Sequence, residues 1–578
     1  MANRQITVIF RNLEGEHLGE VERMLRRHGA RGPILRPIFP NAKPEDPTDG
    51  NPPAANYFRA SIPDDELRAV FGELRANMEA WRIHQAYVVP PARPAATNLS
   101  PAGLESWPGG PSPLASGPGA TRFGRARRRP YFGATPDFTA LQGWWIPPHG
   151  SRAWEHRWLG KPQGHHGSGI RIADVEVDGL AEHESLGRPG KASALALADP
   201  LPPFQLLDDM RAQCHGTAVA GIIRGQSGVT GQQVGIRGLA PEAELVLHRT
   251  EIGDPADTQP YSIAEAIDRA SATLKQGDIL LIELERQGPL PAVQVGIKAS
   301  PALIAPSSLE SWPGLESWPG LESWPGLESW PGLESWPGLE SWPGGGTKLN
   351  RYLPVEYLPE DWKAISLATQ KGVVVIEAAG NGGENLDDEF FEYAPPEEWA
   401  PGMFWLAGPG AWTNPFRREV RDSGAVLVGA GAPPRGMGGW DWGVYRSWLR
   451  ESNYGSCVDA QGWGRGIVTA GYGDLQGGTE PARWYTSRFG GTSGAAAMVA
   501  GVVAVLQSAR LANSKQALGP GAVRDFLSKN GKPQAGAAAD KRHIGPLPVF
   551  SASVPPLLEN KVVVKAGQID YVGLYTAL

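Results

Sequence analysis

Residues 169–177 read GIRIADVEV, a short apolar run bounded by glycine and turn residues. Four more runs of this kind follow: AELVLHRT at 243–250, GDILLIEL at 277–284, GVVVIEAAGN at 372–381 and SGAVLVGAG at 423–431. Segments this short and this continuously apolar have the pattern of strands buried on both faces. Helix-like stretches separate them, so the expected class is α/β, a parallel sheet with helices on both faces. The pattern extends over residues 136–550.

Working outward, residues 1–91 read as a separate α+β unit. ITVIFRN (5–11), PILRPIF (33–39), NYFRASI (56–62) and WRIHQAYVV (81–89) are strand-like. Leu18, Val21, Met24 and Leu25 recur at helical spacing. A second helix carries Leu67, Val70, Phe71, Leu74 and Met78 on one face, with Asp64 as its expected cap. The order β-α-β-β-α-β is ferredoxin-like. Residues 92–135 form a linker rich in Pro and Gly, with a basic run from Arg125 to Arg129. LESWPG repeats six times in tandem from Leu309 to Gly344, and a further copy spans Leu104 to Gly109. Pro and Gly in every copy prevent a regular helix or central strand, so 309–344 is expected to be a low-complexity insertion. Residues 551–578 form a C-terminal tail.

A net charge of -7 over 578 residues gives no reason to expect nucleic acid or an anionic membrane as a partner. Two cysteines, Cys214 and Cys457, do not make a disulfide framework. No apolar stretch reads as a membrane span, and the N-terminus lacks the pattern of a secretory signal, so the default expectation is a cytoplasmic protein.

Four motifs carry chemistry. IADVE ends a predicted strand and places Asp174 where α/β sheets gather catalytic groups. CHGTAVAGIIRG (214–225) sets His215 at the start of a helix of small residues. The strand ending in Gly380-Asn381-Gly382 offers an amide side chain just past a buried segment. FGGTSGAAAMVAGVVAVL (489–506) opens a long apolar helix at Ser493. A serine hydroxyl is a weak nucleophile that needs a histidine to take its proton, and a buried carboxylate must orient that histidine. An oxyanion needs donors already in place, which the Asn381 amide and the Ser493 N–H at a helix start can supply.

HGTAVAG, GTSGAAAMVAG, IADVE and AAGN, with GIRGLAPEAELVLH at 235–248, resemble the signatures of subtilisin-like serine peptidases, whose chain order is Asp, His, Ser. The resemblance implies an endopeptidase acting on proteins or peptides through an acyl-enzyme on Ser493. His215 would be general base and acid, Asp174 would orient it, and Asn381 would line the oxyanion hole. It implies no required cofactor and allows structural calcium, for which the acidic stretch Glu384 to Glu389 is the candidate. Glu283-Leu284-Glu285 stands where the family commonly has SLGG, so these residues and Gly380 are the expected substrate-binding positions. The resemblance also gives residues 1–91 the shape of a propeptide held against the peptidase domain. A peptide ligase or macrocyclase using the same triad, and a non-proteolytic binding scaffold, are the alternatives.

Overall fold

The structure, a computed structural model, describes residues 3–31, 34–42, 52–90, 92–94, 135–144, 166–187, 196–197, 210–226, 235–250, 262–289, 351–400, 402–437, 441–512, 515–529, 531–536, 539 and 541–548. The LESWPG copies, the basic run of the linker and the tail lie outside the described residues.

The N-terminal unit contains β1 (Asn3–Phe10), α1 (Gly15–Arg27), β2 (Arg36–Pro37), β3 (Tyr57–Pro63), α2 (Leu67–Asn77) and β4 (Ile83–Val88), followed by the short β5 (Ala92–Pro94). This is the expected β-α-β-β-α-β order. Only two residues of PILRPIF pair as a strand, and Asp64 does not cap α2 but instead binds the Arg4 guanidinium at 3.1 Å.

The second unit contains β6 (Arg171–Glu176), β7 (Ala196–Leu197), α3 (Met210–Arg224), β8 (Glu244–Arg249), α4 (Ile263–Ser271), β9 (Ile279–Ile282), β10 (Leu284–Gly288), β11 (Arg351–Pro354), α5 (Pro359–Gln370) and β12 (Val374–Ala378). It continues with β13 (Glu398–Ala400), β14 (Met403–Ala407), β15 (Val426–Gly431), β16 (Val458–Trp463), β17 (Ile467–Ala470), β18 (Tyr485–Phe489), α6 (Gly491–Ala512) and α7 (Pro520–Lys529). Seven strands form a sheet in the order β16-β15-β12-β9-β6-β8-β7, and every pairing in it is parallel. All five runs singled out in the sequence lie in this sheet.

Alternation sorts the side chains of each strand onto two faces. Ile172, Leu281 and Ile376 pack with Val219 and Ile223 of α3 and with Val499 and Val503 of α6. Val175, Ile282 and Val375 pack with Ile267 of α4 and Ile365 of α5. Helix α4 opens with a complete capping box, in which Ser262 and Glu265 satisfy each other's backbone N–H. By length and composition α6 is apolar enough to cross a membrane, contrary to the expectation that no stretch is, yet most of it is buried as the core helix of this face.

The N-terminal sheet does not end at its own strands. Its order is β13-β14-β4-β1-β3-β2, so two strands from the second unit complete it. Trp405 pairs with Tyr87 in register, and their rings stack at 4.4 Å between centroids. Phe404 stacks on Phe71 of α2 at 5.1 Å. The opposite face of the sheet meets α5, whose first turn carries Glu360 and Asp361, where a helix dipole favours anions. Glu360 is fully buried; it accepts from Thr7 Oγ1 at 2.5 Å and forms an ion pair with Arg59. Asp361 binds Arg286 of β10 at 2.8 Å, and the same guanidinium donates to the Pro90 carbonyl at 3.0 Å.

Arg59→Ala strands the Glu360 carboxylate in the interior, and breaking such a pair from one side costs about 3–5 kcal/mol. Urea unfolding should show that loss in the midpoint with an unchanged m-value. Replacing both partners together, Arg59→Met with Glu360→Gln, should cost less than Arg59→Ala alone.

Candidate active site

Three acids alternate along the end of β6 and just beyond it: Asp174, Glu176 and Asp178. Strand periodicity puts them on the face covered by α3 and α6, and each finds a different partner. Asp178 forms a buried ion pair with Arg249 at 2.7 Å. Glu176, the last residue of β6, accepts from the His215 Nδ1 at 2.5 Å through Oε2 and from the Val177 N–H at 2.9 Å through Oε1. Asp174 lies two residues further inside the strand and does not hydrogen-bond His215. It faces Glu283 just past the end of β9, and one carboxylate oxygen from each of Asp174, Glu176 and Glu283 lies within 4.8 Å of the other two.

Asp174 was the expected orienting carboxylate, but in the structure His215 pairs with Glu176 and not with Asp174. The strand runs two residues past Asp174, and the group at its very end is the one α3 can reach. The sequence signal was available: the apolar run continues through Val175, so its last acid is Glu176.

His215 sits on α3, and Gly216 after it lets the helix approach β6. A Cβ at Gly216 would lie 2.2 Å from the Asp178 carbonyl and 2.6 Å from the Glu176 side chain. The His215 ring packs edge-on against Phe489 at 5.6 Å, just ahead of α6. His215 Nε2 is buried and has no hydrogen-bond partner among the described residues. Ser493 is the third residue of α6, fully buried, and its hydroxyl donates to the Glu283 carbonyl at 3.1 Å.

Asn381 follows Gly380, which holds a positive φ of 90°. Its Oδ1 accepts from the Thr492 N–H at 3.0 Å, which fixes the amide against the start of α6 and turns Nδ2 away from it. The Glu285 carboxylate accepts from the Asn381 backbone N–H at 2.6 Å and lies 3.4 Å from Nδ2. Asn453, which the sequence reading did not single out, holds this loop. Its amide donates to the Ala379 carbonyl at 2.6 Å and to the Tyr352 carbonyl at 2.8 Å, while its Oδ1 accepts from Gly382 and Glu384 N–H at 3.0 and 2.8 Å. A Cβ at Gly380 would meet the Asn453 Nδ2 at 2.7 Å, so glycine is needed there for space as well as for φ.

Of the expected substrate-binding positions, Leu284 and Glu285 lie on β10, whose edges are paired antiparallel with β11 on one side and β5 on the other. Glu283 points into the interior rather than along that track. In the acidic stretch, Glu384, Asp387 and Asp388 are engaged by protein groups. Glu384 pairs with Arg351 at 3.0 Å, Asp387 accepts from the Ser456 backbone and hydroxyl, and Asp388 caps Phe390.

A histidine paired with a buried carboxylate, a serine at a helix start and an amide just past a strand end are the parts a serine hydrolase uses. Residues 344–545 match the model of the subtilase family, peptidase family S8. No curated protein matches the sequence. Among solved structures the chain is similar to the patellamide maturation protease PatA, at 20% identity over 68% of this chain and 98% of that one, with a TM-score of 0.37. It is similar to fervidolysin from Fervidobacterium pennivorans, a keratinolytic enzyme related to subtilisin, at 15% identity over 96% and 61%, with a TM-score of 0.49. It is also similar to the epidermin leader peptide processing serine protease EpiP from Staphylococcus aureus, at 13% identity over 98% and 100%, with a TM-score of 0.47.

Asn453→Ala removes four hydrogen bonds from the Asn381 loop and leaves several buried groups unpaired. It should destabilise the protein by about 3 kcal/mol in denaturant unfolding. Asn453→Asp keeps the two accepted bonds but sets a carboxylate oxygen against the Ala379 and Tyr352 carbonyls, so it should lose at least as much.

Proposed function

We propose that the chain is an endopeptidase in which Ser493, His215 and Glu176 form the catalytic triad. The observation that carries this reading is the buried His215–Glu176 pair, which leaves Nε2 as the unengaged ring nitrogen at the end of the sheet where Ser493 begins α6. With Nδ1 donating to Glu176, the imidazole is fixed as the tautomer whose Nε2 can accept a proton. The Ser493 hydroxyl turns from the Glu283 carbonyl towards Nε2, gives up its proton there and attacks the scissile carbonyl. Hydrogen bonds of this kind tighten only once substrate is bound. The developing oxyanion is received by the Ser493 N–H, at the positive end of a helix, and by Asn381 Nδ2 once the amide swings over from its contacts with Thr492 and Glu285. His215 then passes its proton to the leaving amine, and water repeats the sequence to release the acid.

Substrate in this reading adds a strand to β10, taking its affinity from backbone hydrogen bonds. In the full chain β5 occupies that edge, with Leu284, Glu285 and Arg286 opposite Pro94, Arg93 and Ala92. The N-terminal unit therefore acts as an intramolecular inhibitor that lays its last strand in the substrate track.

Ser493→Ala should abolish casein hydrolysis and fluorophosphonate labelling without changing the thermal transition. Glu176→Gln presents an amide donor to Nδ1, reverses the tautomer and should lower kcat by about 10⁴-fold. Asn381→Ala should lower kcat by about 10²–10³-fold. If Asp174→Asn lost as much as Glu176→Gln, the orienting role would return to Asp174.

A chain lacking residues 92–94 should hydrolyse a short chromogenic peptide at least about tenfold faster than the full chain, since about 1.4 kcal/mol of lost competition is enough for that. Equal rates would show that β5 does not obstruct the track.

A further inference from the structure

Asp174 and Glu283 stand on neighbouring strands, on the same face, and both are fully buried. None of their four carboxyl oxygens has a hydrogen-bond donor among the other described residues. Carboxylates are acceptors only, so two of them facing each other without a donor is stable only if a proton lies between them. Glu176 cannot supply one, because its two oxygens are already spent on His215 and on the Val177 N–H.

The groups packed around the pair bring no cation. From β6 it faces Glu176. From α3 the nearest titratable group is His215, which is engaged by Glu176. From β8 the residue opposite Asp174 is Leu247, and from β9 it is Leu281. The start of α6 contributes Thr492 and Ser493, and Glu377 of β12 lies on the opposite face of the sheet, with Val375 and Ala379.

We propose that Asp174 and Glu283 share one proton and act as positioning residues, pinning the end of β9 against Ser493 and keeping an additional negative charge away from the Glu176–His215 pair. The inference rests on the peptidase reading for its catalytic consequence. The mechanical link is short: the Glu283 carbonyl receives the Ser493 hydroxyl, and the next residue, Leu284, begins the substrate-pairing strand β10. Loss of the shared proton would place three negative charges within 4.8 Å of one another beneath the nucleophile. Burial, together with the like charges of its neighbours, holds the Glu283 carboxyl well above the usual carboxylate range, and burial does the same for Asp174.

The sign of the pH dependence follows. Where the folded protein holds a proton that the unfolded chain has released, stability falls as pH rises. The pair therefore costs stability progressively from the ordinary carboxylate range, near pH 4, up to its own raised titration.

The test compares the full-length protein with Asp174→Asn, whose amide supplies a permanent donor to Glu283. Infrared difference spectra at neutral pH should show a protonated-carboxyl C=O band in the wild type that the variant lacks. The melting temperature should fall less steeply with pH in the variant. The alkaline limb of Ser493 labelling by a fluorophosphonate should move up by about one pH unit or more. Glu283→Gln offers the same comparison from the other side if Asp174→Asn does not fold. Identical spectra and identical pH profiles would overturn the proposal. So would a melting temperature that calcium raises in the wild type but not in the variant, because the carboxylates would then be ionised around a cation. The infrared and melting readouts need no turnover, so an inert Ser493 would sink the peptidase reading while leaving the shared proton measurable.

Discussion

The dehydration of carboxylates at the end of β6 governs the arrangement of this molecule. An ionised side chain taken out of water is stable only when its charge is matched or its proton retained. Strand periodicity sends Asp174, Glu176 and Asp178 in one direction, and the fold answers each of them differently. Asp178 receives a guanidinium, Glu176 an imidazole, and Asp174 another carboxyl group. In the triad proposed above, the imidazole is the productive answer, because it couples a buried charge to a base. The same economy recurs across the sheet, where Glu360 and Asp361 at the start of α5 are matched by Arg59 and Arg286. One charge requirement thus helps place α3 on one face and the N-terminal unit on the other.

Much of the architecture was legible in the sequence because its signals are local. The five apolar runs were short, continuous and bounded by turn residues, and each became a strand of the parallel sheet. Asn381 and Ser493 could be singled out because each stands near the end of a strand or the start of a helix, whereas His215, expected at a helix start, lies a turn and a half inside α3. The expected carboxylate, Asp174, and the one that pairs with His215, Glu176, lie two residues apart. Residues 174 and 176 share a face, so periodicity alone could not choose between them. Only the end of β6, fixed by pairing with β8 and β9, separates the two.

Asn453 and the β13–β14 hairpin escaped for another reason. Asn453 matters through the carbonyls and N–H groups of two distant segments, and nothing in its own neighbourhood encodes that. The residues of the hairpin, around Trp399, Met403 and Phe404, are apolar enough for any core, and their partners lie in the first hundred residues. Contacts made across such sequence distances leave no periodicity to read. The substrate-track residues were located by resemblance, but the inward turn of Glu283 could be seen only once β9 and β10 were joined.

The completion of the N-terminal sheet by a hairpin encoded far downstream has a consequence for the order in which the protein can be made. While the chain is being synthesised, β4 emerges early and β14 late, so one edge of the first sheet stands open through most of translation. An unpaired strand edge is a template for association with other chains. Pairing Tyr87 with Trp405 also gives the fold a high contact order, which slows closure of that edge. The nascent chain is therefore most exposed to aggregation before its peptidase domain is complete, a vulnerability that belongs to its biosynthesis and is invisible in the finished molecule.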